Sequence, residues 1–223
     1  MKAMILAAGF GTRLKPLTNE LPKALIVYKN KTLLEYQIGK LKSAGIDSII
    51  INAHHLSEKL ENYVNENDFG LKAIIIIKEK NILGTGGGIL NAKDYLINED
   101  FFIVVNVDVY ANFDYGNILS FHKKNTAFST LLIQKRTSKK LLEFDGNLKL
   151  IGRENSGSDK NNLFAFNGVH VISKKIFLKN LHVKYCDIIE LYLQMVKDGE
   201  TVQGYDAGTS YCKDLGKIEN LRD

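Results

Sequence analysis

Residues 1–25, MKAMILAAGFGTRLKPLTNELPKAL, decide the fold. The run Ala3–Ala7 is short and continuously apolar, as a strand buried on both faces of a sheet requires. Gly9 and Gly11 follow it, where the chain must turn sharply and can present backbone N–H groups to an anion. Both prolines of the 223-residue chain, Pro16 and Pro22, stand in the same stretch, and their fixed φ lowers the entropy of holding it in one shape. This braced segment carries Arg13 and Lys23, a planar fork and a point charge that together suit a polyphosphate. Taken alone, the glycines fit an ordinary turn equally well. A dinucleotide fingerprint would need glycine where Leu14 stands, and the G-K-[ST] of a P-loop is absent.

Working outward, short apolar runs alternate with amphipathic segments. Thr32 to Ala44 is predicted as a helix with Leu34, Ile38 and Leu41 on one face, stopped by Gly45. Ser48–Asn52 is predicted as a strand, Leu56–Val64 as a helix, and Leu71–Ile77 as a strand. The glycines of Gly84–Gly88 are expected to form a loop before a helix carrying Ile89, Ala92 and Leu96. The strand FFIVVNVD, ending at Asp108, comes next. This alternation is the pattern of a mostly parallel sheet wrapped by helices, with Ile74–Ile77 and Phe101–Val105 buried on both faces.

After Asp114 the texture changes. One helix to Lys124 is followed by strands at Thr130–Gln134, Leu141–Phe144 and Leu148–Ile151, the last two joined by the turn residues Asp145-Gly146-Asn147. ENSGSDKNN is expected to be a mobile loop. FAFNGVHVIS then reads as a strand, a helix buries Ile188, Leu191, Tyr192 and Met195, and a pair of strands closes the chain around Thr201 to Asp214. The expectation is an α/β fold: a Rossmann-like three-layer α/β/α domain with a mixed, mostly parallel central sheet and an inserted β-hairpin region. A single domain, 1–223, is expected, in two halves, 1–113 and 114–223.

Composition narrows the function classes. With 45% hydrophobic and 25% charged residues the chain can bury a large core. Its formal charge of +5 is scattered rather than gathered into a basic stripe, so a solvated surface is favoured over a nucleic-acid face. No apolar run approaches the roughly 20 residues of a membrane span, and Ala3–Ala8 is too short for a signal peptide, so a cytoplasmic protein is expected. Cys186 and Cys212 have neither disulfide-framework nor zinc-site spacing.

Three further features could carry chemistry. The four glycines around Thr85 permit close approach of a ligand to the backbone, or serve only a flexible turn. Asp108 stands at the carboxyl end of a buried strand, where open α/β sheets bind ligands, and could hold Mg²⁺; a turn aspartate is the plain alternative. In SYCKDLG an extended backbone would put Ser210, Cys212 and Asp214 on one face, making Asp214 a second possible metal ligand.

Together these pieces resemble the sugar-1-phosphate nucleotidyltransferases over nearly the whole chain. The signature L-A-A-G-x-G-T-R-L-x-P-L-T followed by P-K matches Leu6–Thr18 and then Pro22-Lys23, and LGTGGG, Asp108, FNGVHVIS and Asp214-Leu215-Gly216 follow in the family's order. The chain is most similar to the short bacterial branch that includes N-acetylmuramate-1-phosphate uridylyltransferases and related mannose-1-phosphate guanylyltransferases. No hexapeptide repeats follow residue 216. The resemblance implies that NTP and a sugar 1-phosphate are the substrates and Mg²⁺ the cofactor, with 1–113 the nucleotide-binding half and 114–223 the sugar-binding half that also brings the second metal aspartate. It implies nucleotide contacts from Ala8, Gly9, Gly11, Thr12, Arg13, Lys23, Gly86, Gly87 and Asn106. Arg13, Lys23 and Asp108 would be catalytic, Asp108 and Asp214 would hold the metal, and Glu154, Asn167 and Gly168 would face the sugar. Ala24, Val107 and Lys217 depart from the pattern, as do Asn155 and Lys140, and the last two bear on the acceptor sugar rather than on the reaction. A phosphocholine cytidylyltransferase shares the opening loop, but LGTGGG argues against it. A non-catalytic nucleotide-sugar sensor would keep the same pocket.

Overall fold

A computed structural model describes residues 1–222, and its frame is a nine-stranded mixed sheet. The chain enters through β1 (Lys2–Leu6), passes a short hairpin of β2 (Val27–Tyr28) and β3 (Lys31–Thr32), and continues through α1 (Leu33–Ser43), β4 (Ser48–Ala53), α2 (Ser57–Glu66) and β5 (Ala73–Lys78). It returns through α3 (Gly84–Asn91) and α4 (Lys93–Leu96) to β6 (Phe101–Asn106). β1 pairs in parallel with β4 on one side and β6 on the other, and β5 pairs in parallel with β4. The winding therefore reverses between β1 and β6, which opens a crevice at their carboxyl ends.

The second half extends the same sheet. It runs through β7 (Val109–Ala111), α5 (Tyr115–Asn125), β8 (Ser129–Gln134), β9 (Leu141–Phe144), β10 (Leu150–Arg153), β11 (Leu163–Ser173), α6 (Ile188–Lys197), β12 (Val202–Asp206) and β13 (Cys212–Asp214). β11 lies antiparallel to β6, β8 and β9, while β12 lies parallel to β8. The sheet is thus mixed and mostly parallel, with β9 and β10 as the inserted hairpin.

The period of two sorts the core into two layers. Ala3, Ile5, Ile49, Ile51, Ile103 and Val105 pack on one face with Leu34, Ile38 and Leu41 of α1, Leu60 of α2 and Ile118 of α5. Met4, Leu6, Ile50, Phe102 and Val104 face the other way, onto Ile89 and Leu90 of α3 and Ile188, Tyr192 and Met195 of α6. α1 begins at a capping box: the Glu35 N–H donates to Thr32 Oγ1 at 3.1 Å, and the Thr32 N–H donates to Glu35 Oε2 at 2.6 Å. Among the described residues no helix is long and apolar enough to cross a membrane.

Several local expectations give way. The glycines at 84–88 do not form a loop before a helix: they are its first turns. Ile74–Ile77 are only half-buried, because β5 is the sheet edge and lacks a neighbour on one side. The two closing strands do not pair with each other; β12 completes the large sheet and β13 pairs with β7. Leu56 sits outside α2 at φ 54°, and Leu148 at φ 57° belongs to the hairpin turn, so the strand after it starts at Leu150. Within the segment expected to be mobile, Lys160–Asn162 forms a 3₁₀ turn, and the Ser158 hydroxyl donates to Glu143 Oε2 of β9 at 2.7 Å.

Candidate active site

β1 ends at Leu6 directly opposite Asn106, the last residue of β6, so the segments that follow both strands leave the sheet side by side. From the first comes the opening loop, folded into 3₁₀ turns at Thr12–Leu14, Leu17–Asn19 and Lys23–Leu25. Gly11 takes φ 63°, and a Cβ there would stand only 2.6 Å from Thr18 Cγ2. The buried Thr18 hydroxyl donates to the Gly11 carbonyl at 2.9 Å, closing the loop on itself. Pro22 directs the chain so that Lys23 Nζ reaches Asp108 Oδ2 at 3.0 Å.

Asp214 arrives from more than a hundred residues away through the pairing of β13 with β7. In that ladder Asp214 stands opposite Val109, beside Asp108, and the Leu215 N–H donates to the Asp108 carbonyl at 2.8 Å. Arg13 Nη1 donates to Asp214 Oδ2 at 3.1 Å. Two opposite-charge pairs therefore stand together, and they differ in depth. The side chains of Lys23 and Asp108 are 14% and 11% exposed, those of Arg13 and Asp214 56% and 43%. Gly216 closes the gap between them. A Cβ on it would collide with Asp108 Oδ2 and stand 2.8 Å from Asp214 Oδ1 and 2.9 Å from Arg13 Nη2.

A small inner cavity of about 160 Å³ lies on one side of this centre, lined by Ala8, Gly9, Lys23, Asn52, Thr85, Asn106 and Asp108 among others. Its floor is fixed by hydrogen bonds: Asn52 Oδ1 accepts from the Ala7 N–H at 2.8 Å, and Asn52 Nδ2 donates to buried Glu79 Oε1 at 2.7 Å. Glu79 Oε2 accepts from the Leu83 N–H at 2.9 Å at the start of α3. On the other side lies a cleft of about 850 Å³, bordered by Arg13, Arg136, Lys140, Arg153, Lys213 and Asp214 and by residues of α6. A third space of about 190 Å³ joins the two at Asp108, Asn167, Gly168 and Asp214. Asn106 borders all three.

Asn167 and Gly168 sit where the pairing of β11 with β8 slips between Phe166 and His170, an irregularity that turns their backbone toward the centre. Gly168 has φ 76°, and a Cβ there would come within 2.7 Å of Asn106 Nδ2. Arg136 Nε donates to Asn167 Oδ1 at 2.9 Å. Burial pushes the Cys212 thiol up from its ordinary value, so it borders the cleft as a neutral group and not as a thiolate nucleophile.

The structure thus gathers Ala8, Gly9, Arg13, Lys23, Asn106, Asp108, Asn167, Gly168 and Asp214 around one centre. Five expected residues stand elsewhere, among them Gly11, whose carbonyl is taken up by Thr18 within the loop and which borders none of the three spaces. Gly86 and Gly87 are buried against the segment 184–187: the Gly86 N–H donates to the Cys186 carbonyl at 2.9 Å, and a Cβ on Gly87 would collide with the Lys184 carbonyl. Their smallness serves packing, and Gly84 and Thr85 line the inner cavity instead. Thr12 borders a separate recess with Phe10, Lys15, Thr18, Asn19 and His55. Glu154 is exposed at the rim, while its neighbour Arg153 faces the large cleft. Ser210 precedes β13 and uses its carbonyl to accept from Gln134 Nε2 at 2.7 Å. Arg136, Lys139, Arg153 and Lys213 are not legible as a group from the sequence, since cations in unrelated segments carry no shared spacing; the run RTSKK at 136–140 holds only two of them.

A crevice at the switch point of a doubly wound sheet, with two carboxylates and two cations at its mouth, is where folds of this kind bind their ligands. The nucleotidyl transferase family model matches residues 2–144, and the chain belongs to that family. It is 38% identical over 138 residues to the mannose-1-phosphate guanylyltransferase catalytic subunit beta of Danio rerio, a match covering 60% of this chain and 38% of that protein. The chain thus matches well under half the length of that relative. Solved structures share the fold over nearly the whole chain. HddC from Yersinia pseudotuberculosis, complexed with GMP-PN, is 24% identical with a TM-score of 0.80, covering 99% of this chain and 96% of that one. The inositol-1-phosphate CTP transferase of T. maritima is 20% identical with a TM-score of 0.83, covering 100% and 91%.

Proposed function

We propose that this protein joins a sugar 1-phosphate to a nucleoside triphosphate, releasing pyrophosphate and a nucleotide sugar. The observation that carries the reading is the β7–β13 pairing, which sets Asp108 and Asp214 beside Arg13 and Lys23 between a small inner cavity and a larger cleft. Two substrates must meet at one phosphorus in such a reaction, and two spaces joined at paired carboxylates meet that need.

Residues of the inner cavity would hold the nucleotide. Ala8 and Gly9 offer backbone to the phosphates, Lys23 supplies charge beside Asp108, and Asn52 and Thr85 border the deeper end. Asn167 and Gly168 would face the sugar. The acceptor's phosphate monoester is mostly ionised at neutral pH, its second pKa being about 6, so its oxygen can attack the α-phosphorus without a general base. What remains is to position two polyanions that repel each other and to stabilise charge on the departing pyrophosphate. Arg13 and Lys23 contribute fixed positive charge to that task.

The donor set fits Mg²⁺. The space that a Cβ at residue 216 would fill is bounded by Asp108 Oδ2, Asp214 Oδ1 and Arg13 Nη2; the carboxylates offer hard oxygens of the kind that hold this ion while water and phosphate complete its shell, and Arg13 and Lys23, which pair with them here, would turn to the phosphates. When bound there, Mg²⁺ supplies charge neutralisation on phosphate oxygens. UTP or GTP with N-acetylmuramate 1-phosphate, or a hexose 1-phosphate such as mannose 1-phosphate, are the first pairs to try; the Danio rerio relative's name favours GTP with mannose 1-phosphate. Incubation of purified protein with Mg²⁺, each triphosphate and each sugar phosphate should release pyrophosphate from at least one pair. Silence across that panel, with nucleotide sugars still binding, would mark a sensor instead, and turnover of CTP with phosphocholine alone would mark a cytidylyltransferase.

A further inference from the structure

The large cleft holds more positive charge than one phosphate monoester needs. Arg13, Arg136 and Lys213 border both this cleft and the joining space next to Asp108, and in the transfer proposed above they would face the reacting phosphate. Lys139, Lys140, Arg153 and Lys217 border the cleft but not that inner space. Its only acidic residues among those described are Asp187 and Asp214, and both are engaged. Asp187 accepts from the Ile189 N–H at 2.8 Å as the cap of α6, and Asp214 accepts from Arg13 and from the Gly216 N–H.

The outer cations differ in how they are held. Arg153 donates to Glu190 Oε1 at 2.6 Å, and Lys217 stands 3.9 Å from Glu219. Lys139 and Lys140 have no ion-pair partner among the described residues. They lie in the segment between β8 and β9, with no acidic residue from Lys135 to Lys140. A cluster of like charges on a cleft wall is unfavourable when empty and becomes favourable when an anion enters.

We infer that the acceptor carries a second anionic group beyond its 1-phosphate, a carboxylate or a further phosphate ester on the sugar, and that Lys139 and Lys140 receive it. The inference rests on the nucleotidyl transfer proposed above and adds to it the class of acceptor. A neutral hexose 1-phosphate would leave the outer wall's charge uncompensated, whereas a second anion gains charge-assisted hydrogen bonds there.

Matched pairs of acceptors test this directly. N-acetylmuramate 1-phosphate against N-acetylglucosamine 1-phosphate and glucuronate 1-phosphate against glucose 1-phosphate probe the carboxylate; glucose 1,6-bisphosphate against glucose 1-phosphate probes the second phosphate. At least one charged member should exceed its neutral partner about tenfold or more in kcat/KM, equivalent to about 1.4 kcal/mol. That ratio should fall toward one in Lys139→Ala/Lys140→Ala, through KM for the acceptor and with KM for the triphosphate little changed. Turnover without preference in all three pairs, or a preference that survives the double substitution, overturns the inference while leaving nucleotidyl transfer intact. Absence of turnover with every pair and every triphosphate overturns the transfer itself; calorimetric titration of the same pairs into the protein then reads the cleft's preference, and equal affinities overturn it.

Discussion

The two pairs of charges at the centre invite comparison. Lys23 and Asp108 are nearly buried, borne by a loop closed on itself and by the turn that follows the central strand β6, above a floor of fixed hydrogen bonds. Arg13 and Asp214 are half-exposed and open onto a cleft five times larger, whose cations come from separate segments. The inner side is organised before any ligand arrives, and the outer side is mainly a field of charge. Under the proposed transfer, affinity and geometry for the part common to all triphosphates would belong on the first, and discrimination among acceptors on the second.

The largest expected effect comes from Asp108→Asn. It keeps size but removes the charge that Lys23 faces and that a metal would need. Turnover should fall at least about 10²-fold, the scale seen when a positioned electrostatic group is lost. The now unpaired Lys23 should cost some stability, read as a fall of several degrees in the unfolding midpoint, with the circular dichroism of the folded protein retained. Near-normal turnover would remove Asp108 from the chemistry.

Next in size is Gly216→Ala. Its backbone tolerates alanine, since its φ lies outside the left-handed region, yet the added methyl would press on Asp108, Asp214 and Arg13 at once. Misplacement of reacting groups by about 1 Å can cost roughly 10²-fold, so a loss of about 10- to 100-fold in kcat is expected, with a small change in midpoint. Unchanged kcat would mean that the two carboxylates are not used together.

How far these regions could be read in advance follows from how each is built. The inner side is local: strand, glycines, prolines, Arg13 and Lys23 fall within 25 residues, so a single stretch displays both the turn and its charges. The alternation of strands and helices was equally legible, because the short continuous apolar runs of β1 and β6 and the helical spacing in α1 and α6 are local signals. What could not be read depends on pairing at a distance. β13 against β7, β12 against β8, and the slip in β11 that turns Asn167 and Gly168 are set by sheet contacts that leave no periodic trace. The glycines at 84–88 misled for the same reason: the Lys184–Asp187 segment they accommodate lies about a hundred residues away.

That last point separates two kinds of glycine. In Gly86→Ala the new Cβ would stand 2.9 Å from both Cys186 Sγ and Leu191 Cδ1, an overpacking worth about 1–3 kcal/mol. In Gly9→Ala the nearest atom would be Lys23 Nζ at 3.8 Å, an ordinary contact. The expected outcome is a crossed pattern: Gly86→Ala lowers the chemical-denaturation midpoint and hardly alters KM for the triphosphate, while Gly9→Ala keeps the midpoint and raises KM several-fold. If both variants moved KM alone, Gly86 would belong to the nucleotide after all.

The smallest effect is expected on the outer side, from Glu190→Gln. Arg153 Nε and Nη2 both donate to Glu190 Oε1, at 3.1 and 2.6 Å, in a pair of which the glutamate is well exposed. Such pairs contribute roughly 0–1 kcal/mol, so the midpoint should hardly move. The substitution loosens Arg153, which already borders the cleft, and removes a negative charge beside it. Both changes favour an anionic acceptor, so its KM should fall, by less than about threefold given screening at physiological salt. The sign carries the information. A rise in acceptor KM would show that Glu190 holds Arg153 in its working position, which would make the outer wall as organised in advance as the inner one.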